Sequence, residues 1–398
     1  MNQQLDRLYK IALQEKRLII GLMSGTSLDG LDIALCEVVG QGKKTQLALK
    51  KFTTIPYDED FRNSIRTVFA KKNADLELLC QLNATIANKH ADLINQALSV
   101  WNIDSQIIDI VASHGQTIYH APQRLTGNFQ QPNSTLQLGD GDHIAVKTGI
   151  ITVSDFRQKH LAAGGEGAPL AAYGDYLLFS HPSENRFLLN IGGIANFTFI
   201  PSATSDMKAY ATDIGPGNTL MNQFMFASFG KEMDENARIA YQGVVNERLL
   251  AALRQHPFFE EAFPKTTGPE LFSLSYLTEA QSKSNTITIS NEDVMATLCS
   301  FSAISIADNI RKQAQRLPNA HIYVSGGGIH NPLLMEMIQQ QLPAYTVESF
   351  AKLGMDPDAK EACLFALLAN ETIAGNPENA QNIYESPPVC MGKISFPY

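Results

Sequence analysis

The chain has 398 residues, of which 44% are hydrophobic and 18% charged, with a formal net charge of −9. This composition is that of an ordinary globular protein and excludes a largely disordered chain. The length predicts two or three domains, at roughly 150 residues each. The acidic balance argues against a nucleic-acid partner, but not against a nucleotide, since backbone amides bind phosphate without any net positive charge.

No segment predicts a membrane span, because the apolar runs stay under about ten residues and crossing a bilayer takes roughly 20. The N-terminal segment 1–16 has apolar residues at helical spacing with charges between them, which is not the pattern of a secretory signal. We therefore expect a cytoplasmic protein. The five cysteines form no CxxC pair, which predicts free thiols rather than disulfides or a zinc site.

The first half of the chain predicts strands followed by alternating helices and strands. The predicted strands are Leu18–Met23, Leu31–Val39, Leu47–Pro56, Ile107–Ala112 and Ile150–Phe156, and the predicted helices are Phe61–Phe69 and Leu76–Val100. The first three strands have short connections and predict an antiparallel meander. Alternation of strands with helices indicates an α/β sheet whose site lies in loops at the strand ends.

The same pattern restarts near residue 186 with "RFLLNIGGIANFTFI", two apolar strands separated by glycines. The later predicted helices are Thr219–Ser228, Arg238–Arg254, Val294–Lys312, the segment 331–342 and Ala359–Ala374, with strands at 321–325 and Tyr345–Val347. The sequence therefore predicts two α/β halves of similar plan. We assign a first domain to residues 1–185, a second to 186–360, and a C-terminal segment, 361–398, that returns to the first.

Four glycine-rich turns follow apolar strands: "SGTSLDG" (24–30), "IGGIAN" (191–196), "DIGPGN" (213–218) and "SGGGIHN" (325–331). Glycine lets backbone N–H groups converge on a ligand, and such a concavity suits phosphate. Any one of these segments alone is equally well explained as a simple turn. Four of them, spread over both halves, favour phosphate binding. Neither a P-loop motif nor a dinucleotide-binding glycine motif after the first strand is present.

Several longer motifs occur in order over residues 17–374: "GLMSGTSLDGLDIAL", "SHGQTIYH", "QLGDG", "SDFR", "AAGGEGAPL", "LNIGGIANFT", "DIGPGN", "VSGGGIHNPLL" and "MDPDAKEACLFALLA". Together they resemble the 1,6-anhydro-N-acetylmuramic acid kinase family, within the wider ATP-binding fold of actin, hexokinase and Hsp70. The resemblance implies two RNase H-like α/β domains with an ATP cleft between them, and a homodimer.

The resemblance also implies an activity. The enzyme would open the 1,6-anhydro bond of 1,6-anhydro-N-acetylmuramic acid with water and phosphorylate O6 from ATP, giving N-acetylmuramate 6-phosphate in peptidoglycan recycling. Closure around ATP and the sugar is expected, with hinges near residues 185 and 360. Two alternatives stay open from the residues: a nucleotide-switched binding protein, and an ordinary sugar or acetate kinase that uses a free hydroxyl.

ATP would be held by loops of both halves. The residues expected at the phosphates are Ser24, Gly25, Thr26, Ser27, Asp29, Gly30, Asp32, Gly192 and Gly193, and those expected at the adenosine are Gly326, Gly327, Gly328 and Asn331. Mg²⁺ would accompany ATP. In the wider fold the first loop often opens with Asp, but Met23 stands there in this chain, so the magnesium ligand is open between Asp29, Asp32 and Asp155.

Attack of water on the anomeric carbon requires a carboxylate base. Asp213 in "DIGPGN" is the candidate, because it follows a strand-like run beside glycines that leave space for substrate, and the resemblance places the base in this motif. The alternative is that Asp213 caps the following helix. Asp155 is the second candidate for the base.

Substrate contacts are expected from three further residues. By resemblance, Glu361 contacts the sugar; its alternative is an acid favoured at a helix start. Arg157 would pair with the lactyl carboxylate, and its alternative is an ion pair with its neighbour Asp155. His114, expected just after a strand, would bind the substrate or serve as a structural histidine. Its spacing from His120 does not favour zinc, and "GDGDH" (139–143) is read as a turn rather than a calcium loop.

Overall fold

The apolar run that begins at Lys16 forms the first strand of a mixed sheet in the computed structural model, which describes residues 2–25, 27–168, 170–315, 317 and 319–398. The chain divides into two units, Met1–Leu178 with Asp358–Tyr398, and Phe179–Pro357. The unit boundaries, at 178/179 and 357/358, lie within a few residues of those predicted at 185/186 and 360/361. Within the described part of the chain, no helix is long and apolar enough to cross a membrane.

The first unit is built on one sheet with helices packed against it. Its strands are β1 (Lys16–Ser24), β2 (Gly30–Val39), β3 (Gln46–Pro56), β4 (Ile110–Ala121), β5 (Ser134–Leu138), β6 (Ile151–Ser154) and β12 (Lys393–Ser395). Its helices are α1 (Gln3–Leu13), α2 (Glu59–Arg66), α3 (Leu76–Trp101), α4 (Gln123–Thr126), α5 (Gly141–Thr148), α6 (Phe156–Ala162), α7 (Ala171–Phe179) and α13 (Lys360–Ala374).

The second unit repeats the plan. Its strands are β7 (Asn185–Ile191), β8 (Ile194–Ile200), β9 (Tyr210–Pro216), β10 (Ala320–Ser325) and β11 (Thr346–Ser349). Its helices are α8 (Thr219–Phe229), α9 (Glu247–Leu253), α10 (Leu274–Ser284), α11 (Asn291–Ala314) and α12 (Pro332–Gln341), with short 3₁₀ turns that include Ala240–Gln242, Pro257–Glu260 and Gly327–His330.

Both sheets share one strand order. In the first, the order is β3-β2-β1-β4-β6, and in the second it is β9-β8-β7-β10-β11. Each begins with an antiparallel meander and continues with strands parallel to the first one. The prediction of two α/β domains of similar plan is therefore confirmed. Parallel strands place their carboxyl ends at one edge, which is where loops assemble a site.

Each unit buries its own core. In the first, strand residues such as Ile20, Ile33 and Val111 pack with Ile94 of α3. In the second, α11 is buried along most of its length against the sheet, with Phe301 among its fully buried side chains. The long helical patterns predicted at 76–100 and 294–312 were read correctly because their apolar faces extend over many turns.

Helix α13 lies directly on strand β1 because Gly21 has no side chain. A Cβ built at Gly21 would lie 1.9 Å from the carbonyl oxygen of Ala362 and 3.0 Å from the backbone nitrogen of Ala366. No side chain fits there without moving the helix away from the sheet. Since Ala362 follows Glu361, this contact also sets the position of a predicted site residue.

Gly21→Ala should therefore destabilise the protein by about 1–3 kcal/mol or more, through forced separation of packed backbone. Urea unfolding monitored by circular dichroism measures the effect. Gly327→Ala is the matched control, because no atom lies within 4 Å of the position its Cβ would take. Equal unfolding midpoints for Gly21→Ala and the wild type would contradict the close contact.

Strand β4 is longer than predicted, which corrects the position of His114. The apolar run predicts that this strand ends at Ala112, but β4 continues to Ala121 because its second half pairs with β5. Gly115, with φ +73°, lies where the pairing of β4 with β1 shifts register, and a Cβ at Gly115 would be 2.5 Å from the carbonyl oxygen of Leu138. His114 therefore lies within a strand rather than in a loop after one.

Two other expectations are wrong in detail. The helix predicted at 238–254 is broken, because the backbone of Gly243 lies against Glu292, where a Cβ would be 1.9 Å from the carbonyl oxygen, and Asn246 then caps α9. The "GDGDH" segment, predicted as a turn, forms the start of helix α5. The Asp140 side chain caps this helix by accepting a hydrogen bond from the Asp142 N–H.

Candidate active site

The parallel strands of the first unit bring three predicted residues to one edge of the sheet. Leu22 of β1 is opposite Ser113 of β4, and Ser113 is opposite Ser154 of β6. Ser24, His114 and Asp155 each lie one or two residues further along these strands. The loop after β1, the middle of β4 and the loop after β6 therefore share this edge.

A buried hydrogen-bond network holds the start of the loop after β1. The Ser24 hydroxyl donates to Oε1 of Gln116 over 2.5 Å, and the Tyr57 hydroxyl donates to Ser24 over 2.9 Å. The Tyr57 oxygen also lies 2.8 Å from Nε2 of His90. Gln116 in turn donates through Nε2 to the carbonyl oxygen of Gly25 over 3.2 Å. The Ser24 side chain is thus used inside the protein, where it fixes the backbone from which the loop begins.

Burial keeps the two titratable side chains of this network, His90 and Tyr57, uncharged. It lowers the pKa of His90 to about 4 and raises the pKa of Tyr57. Both side chains are therefore uncharged at neutral pH, and their hydrogen bonds persist over a wide pH range. Sequence reasoning missed Tyr57 and His90, because they lie 33 residues apart and in no motif.

The rest of the loop carries acidic residues. Asp29 accepts hydrogen bonds from the Ser27 hydroxyl over 2.8 Å and from the Gly30 N–H over 3.0 Å. Asp32 accepts one from the Thr54 hydroxyl over 2.6 Å. Burial raises the pKa of Asp32, and the nearby charges of Asp29 and Asp358 add to that effect. The negative charge of Asp29 therefore disfavours the ionised form of Asp32. Thr26 lies outside the described residues.

Arg157 and His114 form a buried pair beside this loop. Arg157 donates through Nε to Nε2 of His114 over 3.0 Å and through Nη1 to the carbonyl oxygen of Gly167 over 2.6 Å. Burial lowers the pKa of His114 to about 3 and that of Arg157 to about 10. His114 is therefore neutral, accepts at Nε2 and carries its proton on Nδ1, with Phe365 packed 4.7 Å from its ring centre. This is the structural role that the sequence analysis left open for His114.

Asp155 and Arg157 have separate partners. Asp155 ends β6 with φ +54° and accepts a hydrogen bond from the Lys393 ammonium over 2.5 Å. Within the part of the chain that the structure describes, no ion pair joins Asp155 to Arg157. The alternative of a neighbouring ion pair is therefore wrong, and the guanidinium of Arg157 keeps N–H groups beyond those given to His114 and Gly167.

Glu361, in the first turn of α13, lies close enough to Asp32 and Arg157 for their charges to act on its carboxyl. Desolvation by the surrounding protein raises the pKa of its carboxyl, and the charge of Asp32 raises it further. Lys360 and Arg157 oppose these effects without cancelling them. The charges of Asp32 and Arg157 thus act on the Glu361 carboxyl in opposite directions.

The raised pKa of Glu361 predicts a pH-dependent stability. The folded protein holds this proton more tightly than the unfolded chain does, so Glu361 makes folding less favourable as pH rises above the ordinary value of 4.5. Glu361→Gln should therefore stabilise the protein at neutral pH, and the gain should shrink as pH falls below that value. Thermal unfolding at several pH values measures the difference.

Glu77→Gln is the matched control, since Glu77 is also an acid in the first turn of a helix, α3. A Glu361→Gln variant that is less stable than the wild type at neutral pH would show that the folded protein favours the charged carboxyl, and a shift that is equal at all pH values would show that folding leaves the pKa of Glu361 unchanged.

In the second unit, two glycine turns meet at the carboxyl ends of adjacent parallel strands. Gly192 and Gly193 join β7 to β8, and Gly326 begins the turn after β10, with φ +84°. A Cβ at Gly326 would lie 2.6 Å from Oδ1 of Asn190, and one at Gly328 would lie 2.3 Å from the Ile191 side chain. Both turns therefore lie against the end of β7, while Gly327 faces open space.

Hydrogen bonds hold each of these turns against the helix that follows it. The carbonyl oxygens of Gly192 and Gly193 accept hydrogen bonds from the N–H groups of residues 217–219, at 2.8–3.0 Å, so the turn is held against the start of α8. Asn331 caps α12, because its side chain accepts a hydrogen bond from the Leu334 N–H over 3.0 Å. The side chain of Asn331 is thus engaged in its own helix.

Asp213 lies within β9 rather than at its end. Its backbone is opposite Asn196, and its N–H donates to the carbonyl oxygen of Lys265 over 3.0 Å. The Oδ2 atom accepts from the Thr267 N–H over 3.0 Å, which stabilises the negative charge of the carboxylate. Helix α8 has Asn218 at its N-cap position, so the alternative that Asp213 caps this helix is wrong.

The segment that holds Asp213 contains a buried lysine. Lys265 donates through Nζ to the carbonyl oxygen of Phe258 over 2.9 Å, and the ammonium lies 4.3 Å from the centre of the Phe258 ring. Burial lowers the pKa of Lys265 to about 8. Sequence reasoning missed Lys265 and Thr267, because no motif connects them to Asp213, more than fifty residues earlier.

A comparison with protein families decides the chain's affiliation. The family described as anhydro-N-acetylmuramic acid kinase matches residues 17–395. The chain belongs to the anhydro-N-acetylmuramic acid kinase family. The resemblance read from the motifs is thereby confirmed.

Curated relatives named anhydro-N-acetylmuramic acid kinase match over nearly the whole chain. The protein of that name from Pseudoalteromonas atlantica is 51% identical over 400 residues, with all of both chains covered. The one from Caldanaerobacter subterraneus subsp. tengcongensis is 38% identical, covering 98% of this chain and all of its own. Component A of an Acidaminococcus fermentans (R)-2-hydroxyglutaryl-CoA dehydratase covers 90% of this chain and 99% of its own at 12% identity, with a TM-score of only 0.40.

Each unit of this family member therefore gathers its own group of predicted residues. The first gathers the loop after β1, Arg157 with His114, and Glu361. The second gathers the two glycine turns at the end of β7 and carries Asp213 on β9. Among the described residues, no group of three or more His, Cys, Asp or Glu side chains is spaced to hold a metal ion.

Proposed function

We propose that this chain is an ATP-dependent kinase that opens the 1,6-anhydro bond of 1,6-anhydro-N-acetylmuramic acid with water and phosphorylates O6. The product is N-acetylmuramate 6-phosphate, in peptidoglycan recycling. The observation that carries the proposal is membership of the anhydro-N-acetylmuramic acid kinase family over nearly the whole chain. The carboxylate of Asp213, held ready by a backbone N–H, supplies the base that this reaction requires.

The reaction couples two substitutions. Water attacks C1 and loses a proton to the Asp213 carboxylate, while the C1–O6 bond breaks with its electron pair moving to O6. O6 then forms a bond to the γ-phosphorus of ATP, and the bond from that phosphorus to the bridging oxygen breaks, releasing ADP. Because O6 is captured by phosphorus, no separate acid is needed for the leaving oxygen.

The glycine turns are assigned to ATP. Gly25 and Gly30 with Ser27, and Gly192 with Gly193, would place backbone N–H groups at the phosphates. In the turn after β10, Gly327 faces open space and leaves room for a nucleoside against the backbone. Ser24 and Asn331 support these turns from within, through their contacts with Gln116 and Leu334.

Asp29 and Asp32 fit Mg²⁺ that arrives with ATP. Mg²⁺ is commonly held in kinases by one or two carboxylates together with substrate phosphates, and these two carboxylates lie close enough to affect one another's charge. Bound there, Mg²⁺ would neutralise charge on the phosphates. Asp155 is the weaker choice for this role and for the base, since Lys393 already neutralises it.

The sugar is assigned to residues of the first unit. Arg157 would donate its remaining N–H groups to the lactyl carboxylate, and His114 would hold the guanidinium in place through Nε2. Glu361 would accept hydrogen bonds from a hydroxyl or amide of the sugar. We propose that the reaction takes place in the cytoplasm, where ATP is available. We also propose a homodimer, which sedimentation velocity would test.

A product assay tests the proposed function. The protein is incubated with ATP and either 1,6-anhydro-N-acetylmuramic acid or free N-acetylmuramic acid, and products are followed by ³¹P NMR and mass spectrometry. The expected result is a sugar 6-phosphate from the anhydro sugar. Phosphorylation of free N-acetylmuramic acid alone would identify an ordinary sugar kinase, and no ATP-dependent product from either sugar would refute kinase action on this substrate class.

A further inference from the structure

The glycines of the motif "AAGGEGAPL" form a loop that packs on a buried histidine. This loop, residues 163–168, follows α6, the helix that carries both Arg157 and His160. His160 is only 1% exposed, and a Cβ at Gly165 would lie 2.2 Å from Cε1 of its ring. The histidine ring therefore occupies the space that a side chain at position 165 would need.

His160 and Arg157 hold the two backbone groups of one residue in this loop. The N–H of Gly167 donates to Nδ1 of His160 over 2.9 Å, and the carbonyl oxygen of Gly167 accepts from Nη1 of Arg157 over 2.6 Å. Gly167 has φ +79°, a conformation that favours glycine. Two hydrogen bonds through Gly167 thus connect His160 to Arg157.

The His160 ring is a hydrogen-bond acceptor at Nδ1. Burial lowers the pKa of His160 to about 4, and the positive charge of Arg157 adds to that effect. The ring is therefore neutral at neutral pH, with Nδ1 free of a proton and Nε2 protonated. An apolar side chain at position 160 would leave the N–H of Gly167, a buried residue, without this acceptor.

The bond from Arg157 to Gly167 helps to fix the orientation of the guanidinium. This group is planar, so contacts at two of its nitrogens determine the direction of its remaining N–H groups. The two contacts are Nε with His114, over 3.0 Å, and Nη1 with Gly167, over 2.6 Å. A fixed direction matters because a carboxylate accepts two parallel N–H groups from arginine. A shift of Gly167 would release one of the two contacts.

The other contacts of the loop hold different residues. The Gly165 N–H donates to the carbonyl oxygen of His160 over 2.9 Å, and Glu166 pairs with Arg124 over 2.7 Å. These contacts fix where the loop begins and leave the N–H of Gly167 to the His160 ring. The His160 side chain therefore places Gly167 where its carbonyl oxygen meets Arg157.

We propose that His160 is a positioning residue for recognition of the lactyl carboxylate. Through Gly167 it orients the Arg157 guanidinium toward the carboxylate of the anhydro sugar. The inference rests on the part of the proposed function that assigns this carboxylate to Arg157. Because His160 acts through Arg157 alone, it governs affinity for sugars that carry a lactyl group and leaves affinity for sugars without one unchanged.

The test compares two sugars, 1,6-anhydro-N-acetylmuramic acid and 1,6-anhydro-N-acetylglucosamine, which lacks the lactyl group. Isothermal titration calorimetry in the presence of ADP gives both dissociation constants. His160→Leu, which has no acceptor, should bind the first sugar roughly tenfold more weakly, the loss expected for one hydrogen bond, and the second sugar as the wild type does. His160→Asn should recover most of this loss, because its Oδ1 replaces Nδ1 as the acceptor.

Two further variants separate this role from general damage. Tyr173→Phe removes a buried hydrogen bond to the carbonyl oxygen of Pro387 but keeps the ring that packs 5.7 Å from the His160 ring centre, so it should bind both sugars as the wild type does. Gly165→Ala keeps the histidine but pushes its ring away from Gly167, and should give the same selective loss as His160→Leu. Circular dichroism on each preparation shows whether the variant folds.

The inference is overturned if the wild type binds the two sugars equally, or if His160→Leu weakens both sugars equally or neither. It is also overturned if His160→Asn loses as much affinity as His160→Leu. The proposed function is judged separately by the product assay. A selective loss in His160→Leu, with no ATP-dependent product from the wild type, would refute the kinase reaction and still support the role of His160.

Discussion

Asp213→Asn should lower kcat by about 10²–10⁴-fold, the range that a general base contributes. The amide cannot take the proton of the attacking water. It can, however, still accept the hydrogen bond from the Thr267 N–H, and the backbone pairing with Asn196 and Lys265 does not involve the side chain. The variant should therefore fold and bind ATP as the wild type does.

The measurement is steady-state turnover of 1,6-anhydro-N-acetylmuramic acid, with ATP affinity and the far-ultraviolet circular dichroism spectrum recorded on the same preparation. Asp206→Asn is the control, since Asp206 is an exposed acid in the loop just before β9. Near-normal turnover by Asp213→Asn would remove Asp213 as the base. In that case Asp155→Asn becomes the next variant to measure.

Arg157→Lys should raise the dissociation constant of the anhydro sugar by roughly 10- to 100-fold, the cost of losing hydrogen bonds to a charged group. Lysine keeps a positive charge, but it cannot give two parallel N–H groups to a carboxylate while also reaching His114 and Gly167. Isothermal titration calorimetry measures the dissociation constant of the anhydro sugar in the presence of ADP, which has no γ-phosphate to transfer.

A second sugar separates recognition from structural damage. 1,6-Anhydro-N-acetylglucosamine lacks the lactyl group, so Arg157→Lys should bind it about as well as the wild type does. Arg66→Met, an exposed arginine of α2, is the control for general loss of charge. Equal losses for both sugars would mean that Arg157 only holds His114 and the backbone of Gly167, and does not contact the lactyl carboxylate.

The parts of the fold that local pattern determines were predictable. Helices α3 and α11 present long apolar faces, and the opening meander has short connections, so periodicity alone locates them. The extension of β4 was not predictable, because it depends on β5, whose sequence, "STLQL", is half polar and has the composition of a loop. Pairing with a segment that lies after an intervening turn is a non-local contact, and single-sequence patterns do not carry such information.

In the candidate site, too, residues in local motifs could be predicted and residues in non-local contacts could not. The glycine turns and Asp213 could be found because their motifs are contiguous. The groups that hold them could not, since Tyr57 and His90 support Ser24 from 33 or more residues away, and Thr267 holds Asp213 from a distance of 54 residues. The wrong positions of His114 and Asp213 relative to their strands have one cause, because each strand continues past these residues by pairing with a neighbour, β4 with β5 and β9 with β8.

The central claim is that one reaction breaks the anhydro bond with water and transfers phosphate to O6. The direct measurement is turnover of 1,6-anhydro-N-acetylmuramic acid with ATP in ¹⁸O-water, followed by mass spectrometry of the sugar phosphate. The account predicts one ¹⁸O atom at C1 of the product and none in the phosphate ester bond to O6. A phosphorylated sugar without ¹⁸O at C1, or ¹⁸O appearing in released inorganic phosphate while the anhydro sugar stays intact, would contradict it.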